Sequence, residues 1–169
     1  MPRAIRAYVR YVESVNWLVG WAAMFLVFVM MGILLYSTIT KSFFIPPLWG
    51  VELAQFVMTA FYILGGAYAM KLDSHVRMDL LYSRWSPRTR AAVDAVTVVF
   101  LIAYVVMLLV GGIASTQYAL EYDERSYSSW APYMWPIKII MVVGLVLMLL
   151  QVIATFFRNV ADALGEPLP

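Results

Sequence analysis

Residues 17–36 read WLVGWAAMFLVFVMMGILLY, twenty residues without a single charge. A helix rises about 1.5 Å per residue, so this stretch alone covers the ~30 Å hydrocarbon core of a bilayer. The charge-free window around it runs from Glu13 to Lys41. A transmembrane barrel strand would show about ten residues of alternating hydrophobicity instead. Only helices and closed barrels satisfy their backbone in lipid, so the continuous run reads as a helix. Three more windows follow, at 53–70, at 95–120 with its apolar core ending near Ala114, and at 139–157. The expected architecture is an all-α membrane protein with four transmembrane helices. The spans are placed at about 17–39, 52–70, 92–114 and 137–157, in one membrane domain over 1–169.

Composition agrees. Of the 169 residues 63% are hydrophobic and 13% charged, with a mean hydropathy of +0.80. Soluble domains are about half apolar and about a quarter charged. A net charge of +2 offers no footing for a nucleic-acid partner. With no Cys and one His, disulfides, thiol redox centres and haem held between two His ligands are excluded. No P-loop, nucleophile elbow, zincin motif or dinucleotide fingerprint is present. No enzyme activity, metal or cofactor is expected.

Charge sets the orientation. Arg3, Arg6, Arg10, Lys71, Arg77, Arg84, Arg88, Arg90 and Arg158 fall on one side, and Lys41, Arg125 and Lys138 on the other. Positive residues mark the cytoplasmic side, so both termini are expected there. In a bacterium this implies the inner membrane. The first span is too long for a cleaved signal and lacks a small-residue cleavage site.

The segments between spans are informative. Over 3–15, Ile5, Tyr8, Val9 and Val12 share one helical face, and Arg3, Arg6, Arg10 and Glu13 share the other. That pattern predicts a short amphipathic helix lying in the interface, with its basic side chains near anionic lipid headgroups. Pro46-Pro47 breaks the chain after the first span. Glu52 then opens the second span, where an acid complements the helix dipole. Asp94 lies in the first turns of the third span, after Ser86-Pro87, which reads as an N-cap followed by a first-turn proline. Gly65 and Gly66 in span two, and Gly111 and Gly112 in span three, mark close helix contacts. The segment Lys71–Arg90 reads KLDSHVRMDLLYSRWSPRTR and is expected to form a short cytoplasmic interfacial element. His75 there reads as a hydrogen-bonding residue beside Asp73 or Asp79, with pH sensing as the alternative. The outer segment Glu121–Trp135 holds Glu121, Asp123 and Glu124, then Tyr127, Trp130, Tyr133 and Trp135. The aromatics suit an interfacial belt. The acids suit a basic surface on a soluble partner.

Polar residues inside the spans are few, among them Ser37, Gln55, Thr59, Thr97 and Gln151. Ion-coupled carriers place acids or broken helices at the midplane. Nothing in these spans does so, which argues against a stand-alone pump.

The stretch Gly66–Leu81, GAYAMKLDSHVRMDLL, resembles the signature of the small, DctQ-like membrane subunit of the tripartite ATP-independent periplasmic (TRAP) transporters. Gly66, Ala67, Ala69, His75, Val76 and Asp79 match its pattern. Trp49, Glu52 and Leu53 resemble the start of its second span, and Trp130–Pro136 its last outer loop. Val51 replaces a second acid often found beside Glu52, and Lys138 a glycine. The resemblance implies an accessory subunit of a binding-protein-dependent, ion-driven importer of organic acids or similar solutes. Its partners would be a large membrane transport subunit, a periplasmic solute-binding protein and membrane lipids. Glu52, Gly65, Gly66, His75, Arg77, Asp79 and Asp94 are the structural or subunit-interface candidates. Glu121, Asp123, Glu124 and Trp130 are the candidate binding-protein contacts. The competing reading is an independent four-span carrier or channel acting as a homo-oligomer, with a pore using Gln55, Thr59 or Gln151.

Overall fold

The computed structural model describes residues 3–45, 47–72 and 87–164. Four helices account for nearly all of them: α1 (Arg3–Phe43), α2 (Gly50–Lys71), α3 (Pro87–Glu121) and α4 (Trp135–Leu164). Each contains a stretch long and apolar enough to cross a membrane. At about 1.5 Å per residue, α2 matches the hydrocarbon core, and the 41-residue α1 is about twice its thickness.

The start of α1 and the ends of α2 and α4 share one end of the bundle, here the terminal end. The turn between α1 and α2 and the loop between α3 and α4 lie at the opposite, loop end. Helix α4 is the hub and packs on all three others. Helix α1 also pairs along α2, while α3 leans chiefly on α4. The core is thin and valine- and alanine-rich. One cluster joins Val9 and Val12 of α1 to Ala154 of α4, and a second joins Val98 and Val105 of α3 to Val152. Large apolar side chains such as Phe28, Phe100 and Met107 point outward, as expected where the solvent is hydrocarbon.

The N-terminal segment departs from its reading as a separate interfacial helix. It is the first part of α1, continuous with the span. No proline or glycine occurs between Arg3 and Gly20 to break the hydrogen-bond ladder. The face formed by Ile5, Tyr8, Val9 and Val12 is apolar for a different reason than lipid contact. It packs on Leu150, Ala154 and Phe157 of α4.

Two glycines permit the closest helix approaches. At Gly144 of α4, an added Cβ would lie 3.2 Å from the backbone carbonyl of Ile63 on α2 and would overlap the Ile63 side chain. At Gly20 of α1, it would lie 2.8 Å from Cδ2 of the Tyr68 ring. At the loop end, Tyr36 stacks on Trp49 with ring centroids 5.7 Å apart, which staples the α1–α2 turn.

Candidate functional site: a braced loop and polar ties between helices

The chain between α3 and α4 doubles back on itself. Arg125 and Tyr133 form an antiparallel bridge. Ser126 N donates to Pro132 O at 3.0 Å, and Met134 N donates to Glu124 O at 2.9 Å. The Arg125 guanidinium lies 4.1 Å from the centroid of the Tyr133 ring and also donates to the Tyr133 hydroxyl. Lys138, in the first turn of α4, ion-pairs with Glu124. Its Nζ also reaches Ser115 O on α3 at 3.4 Å. One ammonium therefore ties the loop to both helices that carry it. A loop braced in this way presents a fixed surface.

Two residues in this loop have left-handed backbone, Asp123 with φ 47° and Ala131 with φ 46°. Asp adopts this region readily, whereas Ala is strained there by roughly 1–2 kcal/mol. Ala131→Gly is therefore expected to stabilise the loop by about 1 kcal/mol. Slower hydrogen exchange at the Ser126 and Met134 amides would show it. Unchanged exchange would mean the strain is absent.

The bracing divides the acids that the sequence groups together. Glu124 is held inward by Lys138, so it belongs to the loop's frame. Glu121 and Asp123 are exposed, and Trp130 is 39% exposed. Tyr127 at the tip is fully exposed.

At the terminal end, polar groups tie α1, α2 and α4 together. Arg158 of α4 pairs with the Glu13 carboxylate of α1. Lys71, the last residue of α2, donates from Nζ to the Glu13 backbone carbonyl at 3.1 Å. One turn deeper, Asn16 Nδ2 donates to Gln151 Oε1 at 2.7 Å, with each residue 1% exposed. The Tyr8 hydroxyl donates to Leu150 O at 3.1 Å. Sequence reading missed these ties. Their members were visible as the rare polar residues near span ends, but nothing in hydropathy pairs them.

The remaining candidates are dispersed. Glu52 sits in the first turn of α2, half-buried, with Oε2 buried and unpartnered. Asp94 is half-buried on α3. Gly65 and Gly66 face open space, with no atom within 4 Å of an added Cβ, so the chain's own close crossings use other glycines. His75, Arg77 and Asp79 lie outside the described residues, as does most of the segment read as an interfacial element. The three pore candidates do not converge. Gln151 is buried against Asn16, while Gln55 and Thr59 face outward from α2, with the Thr59 hydroxyl bonded back to Gln55 O.

The profile of the family described as tripartite ATP-independent periplasmic transporters, DctQ component, matches residues 30–162. No curated protein and no solved structure matches the chain. The match spans the last third of α1, all of α2, α3 and the braced loop, and nearly all of α4, and four apolar helices suit a small membrane component. The chain belongs to the DctQ family, the small membrane component of the tripartite ATP-independent periplasmic transporters.

Proposed function

We propose that this chain is the accessory subunit of a secondary-active, binding-protein-dependent importer of organic acids or similar solutes. It buttresses the scaffold of the larger transport subunit and helps to receive the loaded periplasmic binding protein. The braced loop carries this reading. It holds two accessible acids, Glu121 and Asp123, beside aromatic side chains on a rigid frame. Such a surface suits electrostatic capture of a basic face on a soluble partner. The loop end is then periplasmic and both termini are cytoplasmic, as the distribution of Lys and Arg implies.

The outward face of α2 is the proposed contact with the larger subunit. It carries Gln55, Thr59, Gly65 and Gly66. An amide turned toward hydrocarbon is unfavourable unless a neighbouring helix meets it, and small residues let that helix approach closely. Glu52 heads the same helix.

Two measurements test the reading. Purification from native membranes is expected to recover a much larger polytopic protein at equal stoichiometry. Solute or ion flux through the chain alone in liposomes would instead favour the independent carrier or channel. In the assembled transporter, Glu121→Gln with Asp123→Asn is expected to slow uptake several-fold at low ionic strength and to flatten its salt dependence. Fold stability should change by no more than about 0.5 kcal/mol, because both side chains are exposed. Unaltered uptake and binding-protein docking would remove the acids from the interface.

A further inference from the structure

Helix α1 packs less extensively on α4 than on α2. The contact is incomplete on one side, where Tyr8, Tyr11, Val12, Val15, Leu147 and Leu150 line an apolar groove of about 300 Å³ with Asn16 at its wall. The rest of the contact is Val9 and Val12 against Ala154, flanked by Ile5 and Phe157. Small aliphatic residues of this kind repack easily when one helix slides a turn along another. Such apolar contacts do not by themselves distinguish registers one turn apart.

What distinguishes one register from its neighbours is polar. We propose that the Asn16–Gln151 amide pair is a register lock that fixes α1 against α4. A slip of one turn, about 5.4 Å, would set Asn16 against Leu147, or against Thr155, whose hydroxyl already donates to Gln151 O, and leave both amides without their carboxamide partner. The Glu13–Arg158 ion pair agrees with the same register from a second height, three residues away on α1 and seven on α4. The long Arg158 side chain can follow a slip, and the short Asn16 side chain cannot. A buried polar pair is known to select register in this way in helix pairs whose apolar contacts alone are permissive. The Gly20–Tyr68 approach and the Tyr36–Trp49 stack hold α1 to α2, and the amide pair holds it to α4.

The absence of cysteine in the natural chain makes the test direct. Val12→Cys with Ala154→Cys reports the observed register, and Val9→Cys with Ala161→Cys reports a slipped one. Oxidation of the full chain in membranes should cross-link the first pair and spare the second. With Asn16→Leu and Gln151→Leu added, the first yield is expected to fall several-fold and the second to appear. With the amides exchanged, Asn16→Gln and Gln151→Asn, the original pattern should return. An unchanged pattern in the double leucine background would overturn the lock. So would equal loss in the leucine and exchanged backgrounds, which would assign the effect to packing volume.

Discussion

Gly144→Val is expected to lower the stability of the solubilised chain by about 1–3 kcal/mol, the usual cost of overpacking a close contact. The Cβ alone meets the Ile63 side chain and lies 3.2 Å from its backbone carbonyl, and valine adds two carbons beyond that. A rotamer change can move the side chain, but the backbone of α2 must shift as well. The sign is informative because helix propensity acts the other way. Replacing glycine within a helix gains up to about 1 kcal/mol when space permits. Gly65→Ala and Gly66→Ala meet open space and are expected to show that gain in the isolated chain. Denaturant or thermal unfolding in detergent, followed by helicity, separates the two classes. If Gly144→Val were as stable as the natural chain, α2 and α4 would not approach as closely as described. If Gly65→Ala and Gly66→Ala also weakened recovery of the larger subunit, they would place the proposed contact on this face of α2.

Asn16→Leu alone is expected to cost about 1–2 kcal/mol, because it leaves the Gln151 amide unpaired in an apolar site. Gln151→Leu alone should cost a similar amount for the reciprocal reason. Replacing both should cost less than the sum, since two apolar side chains leave no polar group behind. The coupling from the double-mutant cycle is expected to be about 1 kcal/mol. Strict additivity would show that the two amides do not stabilise one another. The double variant can thus be stable and yet lose its register. Stability and cross-linking therefore report different properties of the same pair.

The chain has few charges, and several of them are spent on holding helices together. Glu13, Lys71 and Arg158 join three helices at one end, and Glu124 and Lys138 brace the loop at the other. Within the bundle the buried amides share one hydrogen bond, which leaves Asn16 Oδ1 buried without a partner. The outward polar groups include Glu121 at the end of α3, Asp123 on the loop and Gln55 on α2, which are the ones proposed to meet partners.

Hydropathy alone determined the membrane class, the four helices and the absence of barrel strands, because a bilayer demands about 20 apolar residues per crossing whatever lies beside them. The motif around Gly66–Leu81 and the outer loop were enough to point to the family. Pairing was a different matter. The face of Ile5, Tyr8, Val9 and Val12 was legible as amphipathic, but not whether lipid or α4 would cover it. Gly65 and Gly66 read as a close contact, but the approaches within this chain fall at Gly20 and Gly144, and no atom of the chain lies within 4 Å of a Cβ at Gly65 or Gly66. Glu124 was indistinguishable from Glu121 and Asp123 until Lys138 was placed beside it. The physical reason is common to all three cases. In lipid, apolar faces do not choose their partners by hydrophobicity. Choice rests on a few glycine approaches and polar pairs between residues as far apart as Asn16 and Gln151, and only the tertiary structure brings those together.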